Sequence, residues 1–322
     1  MSISEEDRFA TEWTLNQFRD DLSTRGIVNV TEGLKPVSFD VYWHVFYANQ
    51  TKEGGYVSDE QIQRQMKVLN DDFKSANISW NFKNTTRIEN EEWFLSAAPG
   101  TPQEKEMKTQ YHKSDSTALN IFTAQFNSTT KSLGFASLPS SYLSDPISDG
   151  LVIRHSTLPG GSQTNYNQGR TTVHEAGHWL GLYHTFEGGC TGVGDNVDDT
   201  APEASESAGC PVGRKSCPDA KLADPIHNFM DYSFDSCMTH FTPGQAVRMH
   251  EVIWAFRTKR PPVANSTVPK TSSVAAKHAV PSTSASSATG SLDLEAFPTG
   301  ISNYDDGMGE DDDGQEYFEE DE

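Results

Sequence analysis

One stretch of eleven residues constrains this chain more than any other feature: His174 to His184, which reads HEAGHWLGLYH. His174 and His178 stand four residues apart, so on a helix both imidazoles project from the same face. Gly181 permits a backbone conformation that other residues avoid, and it therefore allows the helix to end and the chain to turn sharply. We expect this turn to bring His184 back beside the other two histidines.

Three imidazoles around one point can hold one Zn²⁺ per chain and leave the fourth tetrahedral position to water. An open position is typical of catalytic zinc sites, whereas structural sites use four protein ligands. Glu175 is well placed to take a proton from water at that position. The sequence therefore predicts His174, His178 and His184 as metal ligands and Glu175 as the catalytic residue. The alternative is an amphipathic core helix whose histidines face solvent.

The same stretch matches the metzincin pattern H-E-x-x-H-x-x-G-x-x-H, which a Met-containing turn follows further along the chain. A candidate for that turn is NFMDY at residues 228–232. Further blocks are GDNVDDTAPEAS, GCPVG, DPIHNFMDYSFDSCM and FTPGQAVRM, and upstream VYWHVFY, STLPGGS and YNQGRTTVHE. Together they resemble the fungal secreted metalloproteases of the pappalysin (M43) family, in the metzincin clan. The resemblance covers roughly residues 37–255.

The resemblance implies a secreted zinc endopeptidase that acts on extracellular proteins or peptides. It implies that Met230 lies beneath the metal as a structural residue and is not a ligand. For Tyr232 two roles stay open: approach to the zinc or the oxyanion, and simple packing with a hydrogen bond to backbone. We interpret His227 as a hydrogen-bonding or packing residue, because three ligands already suffice.

Four cysteines, Cys190, Cys210, Cys217 and Cys237, lie within 48 residues. An even number in a loop-rich region predicts two disulfides, for which three pairings are possible. A second, structural zinc site is the alternative, although no pair has the close C-x-x-C spacing of such sites. The resemblance implies the pairs Cys190–Cys217 and Cys210–Cys237. Disulfides indicate an oxidising compartment.

Six N-x-S/T sequons also favour a secreted glycoprotein, and they lie at Asn29, Asn49, Asn77, Asn84, Asn127 and Asn265. The N-terminus, MSISEEDRFATEWTLNQFRDD, lacks the basic start and apolar core of a signal peptide. Two interpretations follow, a truncated start or unconventional export, and we favour a truncated start of an extracellular protein.

The formal net charge is −21, and residues 305–322 alone hold eleven Asp and Glu without any Lys or Arg. Nucleic-acid binding needs Lys/Arg patches that this sequence does not show. No apolar run approaches the roughly 18 residues that span a bilayer. We therefore expect neither nucleic-acid nor membrane partners, and a monomer.

Three carboxylates cluster in the long loop after the zinc stretch, at Asp195, Asp198 and Asp199. Hard oxygen ligands this close together can bind Ca²⁺, and the resemblance favours a calcium site near this segment. The alternative is a solvated acidic loop.

Periodicity predicts the elements around the zinc stretch. Apolar residues alternate from Val37 to Tyr47, as in a strand, and Ser58 with Gln61 begins a helix that continues to about Ala76. Further strands are predicted at 79–82, 118–126, 133–138 and 151–154, and helices at 5–21, 103–112 and from 243 to about 258. Regular patterns vanish over residues 187–225.

The predicted fold is α+β of the metzincin type. A strand-and-helix N-terminal half precedes a loop-rich, disulfide-stapled C-terminal half, with the zinc cleft between them. The short strand LGFASL at 133–138 is expected to offer its edge to an extended substrate. We divide the chain into an N-terminal arm or pro-segment remnant (1–36), a catalytic domain (37–260) and a disordered Ser/Thr/Pro-rich linker with an acidic tail (261–322).

Two other functions are compatible with parts of the sequence. A catalytically idle module could keep the fold and bind a partner, but it has no need of Glu175. A zinc hydrolase of non-peptide amides needs a closed pocket, whereas an open strand edge suits extended chains.

Overall fold

A computed structural model defines residues 5–24, 34–126 and 132–258. The predicted linker and acidic tail at 261–322, and the sequons at Asn29, Asn127 and Asn265, lie outside these described residues. Within the described ranges, no helix has the length and the apolar character needed to cross a membrane.

Five strands form one sheet in the order β2-β1-β3-β5-β4. Four of them run parallel, and β4 pairs antiparallel with β5 at one edge. The strands are β1 (Val37–Tyr47), β2 (Ile78–Glu89), β3 (Ala118–Ala124), β4 (Gly134–Ala136) and β5 (Leu151–Arg154).

Seven α-helices accompany this sheet in the described part of the chain. They are α1 (Glu5–Thr24), α2 (Asp59–Asp72), α3 (Glu91–Ser96), α4 (Pro102–Tyr111), α5 (Ser141–Ser144), α6 (Arg170–Trp179) and α7 (Pro243–Phe256). Helix α7 begins with a capping box, in which Thr242 and Gln245 each bond the other's backbone N–H.

Most predicted elements are confirmed within a few residues, and β1 and β5 have the predicted bounds. Strand β2 is longer than predicted, because it continues to Glu89 over a half-exposed, polar second half that lacks apolar alternation. Helix α3 was not predicted, since six residues are too few to show a helical period. Helix α2 ends at Asp72, and only a 3₁₀ turn continues to Ala76.

Side chains alternate along each strand, so two apolar layers cover opposite faces of the sheet. On β3, Leu119 and Ile121 belong to the larger layer, and Phe122 and Ala124 to the smaller one. The larger layer also contains residues of α2, α6 and α7. All of β3 is therefore buried.

Helix α6, which carries the two HExxH histidines, packs on the sheet through its last residue. Trp179 is fully buried and meets the ring of Phe39 on β1 edge-on, with ring centroids 5.2 Å apart. This contact holds one end of α6 against the strands, and its histidines lie further toward the N-terminus of the helix.

Between α6 and Pro243 the described chain forms neither helix nor strand. Two disulfides staple this region, Cys190–Cys217 and Cys210–Cys237, and each spans 27 residues of sequence. The pairing implied by the family resemblance is confirmed. A structural zinc site at the cysteines is wrong, because all four sulfurs are in disulfides. The molecule is thus an α+β fold with a loop-rich C-terminal half, as predicted.

Candidate metal centre

The chain reverses directly after α6 and returns a third histidine to the helix. Gly181 adopts a φ of +84°, which favours glycine. Nε2 of His178 lies 3.1 Å from Nε2 of His174 and 3.1 Å from Nε2 of His184. A tetrahedral zinc with bonds of about 2.0–2.1 Å needs nitrogens about 3.4 Å apart, so the three atoms fit one ion.

The other ring nitrogen of each histidine has its own partner. Nδ1 of His174 lies 2.8 Å from the carbonyl oxygen of Phe229, and Nδ1 of His178 lies 2.8 Å from that of Leu182. A carbonyl oxygen only accepts, so these Nδ1 atoms carry the proton and Nε2 keeps its lone pair. Both rings are thereby fixed in the tautomer that binds a metal through Nε2.

His184 has a different partner, the carboxylate of Glu187. Its Nδ1 lies 3.6 Å from Oε2 of Glu187, three residues further along the chain. Glu187 was not predicted as part of the site, although its spacing of three residues from His184 was a signal in the sequence.

Burial keeps the histidines neutral. It lowers the pKa of His178 to about 4 and those of His174 and His184 well below the usual value. A neutral imidazole can bind a metal ion without first losing a proton.

Glu175 lies beside this group and is 6% exposed. Burial raises its pKa to about 8. The positive charge of a bound metal ion would lower it again, because an opposite charge nearby favours the carboxylate. The Glu175 side chain packs against β4: a Cβ added to Gly134 would lie 2.9 Å from Cγ of Glu175. Glycine at the start of this strand is therefore what gives the glutamate its space.

Met230 is fully buried beneath α6. A Cβ on Gly177 would lie only 2.5 Å from its Sδ, so the Met-containing turn and the helix are in close contact. Met230 therefore lies against the metal-binding helix, in the supporting position that the resemblance implied.

Tyr232 belongs to the site. Its hydroxyl lies 3.1 Å from Nε2 of His184, and its ring is 5.6 Å from that of His174. Burial, followed by the neighbouring charge of Glu175, raises the pKa of the phenol. Of the two roles left open for Tyr232, the geometry favours the approach to the metal position.

An open cleft of about 840 Å³ runs past the histidines. Its walls include all of β4 and residues of the Met-containing turn. Since β4 is the last strand of the sheet, its outer edge is not used for pairing within the sheet. Among the described strands, the outer edge of β4 therefore borders the cleft next to Glu175, as predicted from LGFASL, although the carbonyl oxygen of Gly134 already accepts a hydrogen bond from Oγ of Ser132.

Asp235 holds the beginning of α6 in place, a role that was not predicted from the sequence. Helix α6 has no side-chain cap of its own at Gly169. Instead, Oδ2 of Asp235 accepts hydrogen bonds from the backbone N–H groups of Gln168, at 2.8 Å, and Arg170, at 3.3 Å. No local motif could reveal this cap, because the two segments are more than 60 residues apart.

The other singled-out residues lie elsewhere. Nδ1 of His227 is 2.7 Å from the carbonyl oxygen of Cys237, which confirms a hydrogen-bonding role. Within the described residues, the carboxylates of Asp195, Asp198 and Asp199 do not converge closely enough to form a three-ligand metal site. Asp199 instead accepts hydrogen bonds from Thr242 Oγ1 and the backbone N–H of Gly244.

These features define a metallopeptidase of the metzincin class, and solved structures agree. The chain is similar to mature mirolysin of Tannerella forsythia, solved in complex with a cleaved peptide, with 27% identity and a TM-score of 0.57. That match covers 67% of this chain and 90% of mirolysin. Mirolysin in complex with compound 9 matches with 28% identity and a TM-score of 0.59, over 68% of this chain and 92% of the other.

Sequence comparison defines the family. Residues 103–254 match the peptidase family M43, described as pregnancy-associated plasma protein-A. An extracellular metalloprotease of Colletotrichum graminicola is 45% identical over 230 residues, which cover 69% of this chain and 78% of the relative. A second extracellular metalloprotease, from Verticillium alfalfae, is 43% identical over 241 residues, which cover 74% of this chain and 80% of the relative. The chain belongs to the M43 metallopeptidase family, and the resemblance seen in its motifs is confirmed.

Proposed function

We propose that this protein is a secreted zinc endopeptidase in which His174, His178 and His184 hold the metal and Glu175 is the general base. The observation that carries the proposal is the convergence of three buried Nε2 atoms beside a buried glutamate, in a cleft bordered by the last described strand of the sheet. When bound, zinc supplies Lewis-acid activation of water and of the scissile carbonyl.

The protein's own groups would bind and orient the substrate and move the protons. An extended peptide would add its backbone hydrogen bonds to the outer edge of β4, which places one peptide bond near Glu175. The Glu175 carboxylate would accept a proton from the attacking water and give it to the leaving amine nitrogen. The Tyr232 hydroxyl, beside His184, would donate a hydrogen bond to the oxygen on which negative charge develops.

The test compares hydrolysis of casein by zinc-loaded protein with that by Glu175→Gln. We expect the parent to cleave casein, a chelator to stop it, and the variant to lose at least about a hundredfold in rate while keeping one zinc per chain. Glu106→Gln on the exposed face of α4 is the matched control and should behave as the parent. Full activity in Glu175→Gln would rule out the assigned base.

The same experiment tests the idle binding module. A folded, zinc-loaded parent that cleaves none of several denatured proteins would favour that alternative. An idle binding module has no use for the buried carboxylate of Glu175. We prefer the peptidase because it gives this carboxylate a role.

Secretion is proposed from the two disulfides and from relatives that are named extracellular. Of the six sequons, Asn49, Asn77 and Asn84 are described and exposed, so all three can accept carbohydrate. Treating protein secreted by a eukaryotic host with an N-glycosidase should lower its mass. An unchanged mass would contradict the glycoprotein prediction.

Calcium near Asp195, Asp198 and Asp199 stays a prediction. One oxygen of Asp195, Oδ2, is buried without a hydrogen-bond partner among the described residues, but Asp199 already serves α7. The domain boundaries at 36 and 260 and a monomeric state are likewise proposals, and chains cut at these positions would test the boundaries.

A further inference from the structure

Helix α1 reaches the turn that places the third histidine. The carboxylate of Glu12 accepts a hydrogen bond from Nη2 of Arg248, at 2.5 Å, and another from the Tyr183 hydroxyl, at 2.9 Å. Nε of the same arginine donates to the carbonyl oxygen of Gly181, at 2.9 Å. Glu12 thus acts on the turn from both of its ends, through Arg248 at Gly181 and through Tyr183 next to His184.

Apolar packing adds to this contact. A Cβ on Gly181 would lie 2.6 Å from Cγ2 of Val252, so α7 rests directly on the turn. Leu15 of α1 belongs to the same buried cluster as Val252. Helices α1 and α7 therefore enclose the turn between the second and third histidines.

A second route runs through Arg8. Its Nη1 lies 3.7 Å from Oε1 of Glu187, whose other oxygen is 3.6 Å from Nδ1 of His184. The guanidinium groups of Arg8 and Arg248 also lie over the ring of Tyr183, at 5.2 and 4.6 Å from its centroid. Both routes from α1 end at His184 or at its immediate neighbour.

We propose that α1 is a permanent structural support of the metal centre, not a segment removed on activation, and that Glu12 is a positioning residue for His184. This inference rests on the proposed zinc ligands. It separates the two interpretations of residues 1–36, because a removable pro-segment could leave without loosening the metal. On our proposal, loss of Glu12 frees the turn and weakens zinc binding.

The reason lies in Arg248, which is only 3% exposed. A buried guanidinium without its carboxylate cannot stay where it is at low energy, since burial of an unpaired charge is costly. We expect Arg248 to turn toward water when Glu12 is neutralised. It would then give up the carbonyl of Gly181, and the turn would lose its hydrogen bond to α7.

The test measures how fast zinc passes from the loaded full-length protein to a chromophoric chelator. Residues that orient metal ligands typically affect metal affinity by 10–100-fold, and Glu12 acts one contact further out. We therefore expect Glu12→Gln to release zinc about tenfold faster than the parent. Tyr183→Phe, which removes only the hydroxyl, should change the rate in the same direction by less. Cobalt-loaded Glu12→Gln should show an altered visible spectrum.

The matched control is Arg19→Gln. Arg19 forms an ion pair with Glu251 at 2.5 Å and joins the same two helices. Its charge also acts on Glu12, but its hydrogen bonds go to Glu251 and Asn16 and not to the residues of the turn. This variant should release zinc at the parental rate even if it unfolds at a slightly lower temperature.

Equal release rates in Glu12→Gln and Arg19→Gln would overturn the proposal. If Glu12→Gln fails to fold, a parental rate and parental cobalt spectrum in Tyr183→Phe would do so. A parent chain that holds no zinc at all would refute the proposed ligands first, and is thus distinguishable from a failure of Glu12 alone.

Discussion

Gly177 is the residue at which α6 comes closest to the Met-containing turn. Its backbone is helical, so glycine is not needed for its conformation. Glycine is needed because it has no side chain: an added Cβ would lie 2.5 Å from Sδ of Met230. Met230 is fully buried and has little room to withdraw. We expect Gly177→Ala to cost about 1–3 kcal/mol of unfolding free energy, the usual range for overpacking a core. Denaturant unfolding at fixed zinc concentration measures this.

A shortened partner supplies the control for this prediction. In a Met230→Ala background, the added methyl group meets a cavity, so Gly177→Ala should cost less than in the parent. Equal costs in both backgrounds would show that the close contact with Met230 is not what makes glycine necessary.

His44 carries a pH dependence that is separate from the metal centre. It is fully buried on β1, stacks on Phe122 and lies with Nε2 3.0 Å from Oδ1 of Asn120. Burial lowers its pKa to about 4. In the unfolded chain His44 has an ordinary pKa of about 6.5, so below that pH it is protonated there but stays neutral in the folded protein. Stability should therefore fall as the pH decreases from about 6.5 to 4.

His44→Phe removes this titration and keeps an aromatic ring against Phe122. Asn120 keeps a hydrogen bond in the variant, because its Oδ1 also accepts from the backbone N–H of Lys113. Unfolding free energies measured from pH 7 to 4 should decline less steeply in the variant, by up to about 1.4 kcal/mol per pH unit. Parallel curves would mean that His44 is not protonated on unfolding in this range.

Residues of the metal centre were predictable only where the motif is local. His174, Glu175, His178 and His184 lie within eleven residues, so their spacing alone predicts their convergence. Their supporting partners come from far along the chain. Asp235 and Glu12 meet this stretch only through the tertiary fold, and one sequence without an alignment carries no sign of such contacts.

Secondary structure was predictable where burial is one-sided or complete. Strand β1 lies inside the sheet, and its apolar alternation gave its bounds. Strand β2 lies at the edge, where solvent accepts polar residues on both faces, so its second half shows no period. The loop-rich half has two disulfides in place of helices and strands. Their pairing was predicted from the family resemblance and not from the spacing of the cysteines.

The two disulfides offer a controlled comparison because each spans 27 residues. Loop entropy alone predicts the same loss, ~3–4 kcal/mol, when either pair is replaced by alanines. Their surroundings differ: Cys237 follows the segment that holds both Met230 and Asp235. We expect similar losses of unfolding free energy, but a much larger loss of peptidase activity for Cys210→Ala/Cys237→Ala than for Cys190→Ala/Cys217→Ala.

Rates of peptide hydrolysis at 25 °C, far below the unfolding temperature, would separate stability from geometry. If both double variants kept the same activity, the disulfide at Cys237 would not be needed to hold the Met-containing turn.

Three parts of the molecule meet at one buried ion pair. Asp149 precedes β5, Trp179 ends α6, and Arg257 follows α7. Nη1 of Arg257 donates to Oδ2 of Asp149 at 2.7 Å, and Nε1 of Trp179 donates to the same oxygen at 3.0 Å. Arg257 also donates to the carbonyl oxygen of Trp179 and stacks on its indole, 3.8 Å from the ring centroid. The sheet, the metal-binding helix and the C-terminal helix are thereby joined.

Both side chains of this pair are 0% exposed, so breaking it should be far more costly than losing a surface pair. Arg257→Leu leaves the Asp149 carboxylate buried without its cation, and we expect a loss of about 3–5 kcal/mol of unfolding free energy. Asp149→Leu combined with Arg257→Leu removes both charges and should be less destabilised than Arg257→Leu alone. Urea unfolding at fixed zinc concentration tests both, because bound metal adds to apparent stability. A double variant weaker than the single one would mean that hydrogen bonds to Trp179, and not charge pairing, hold these three elements together.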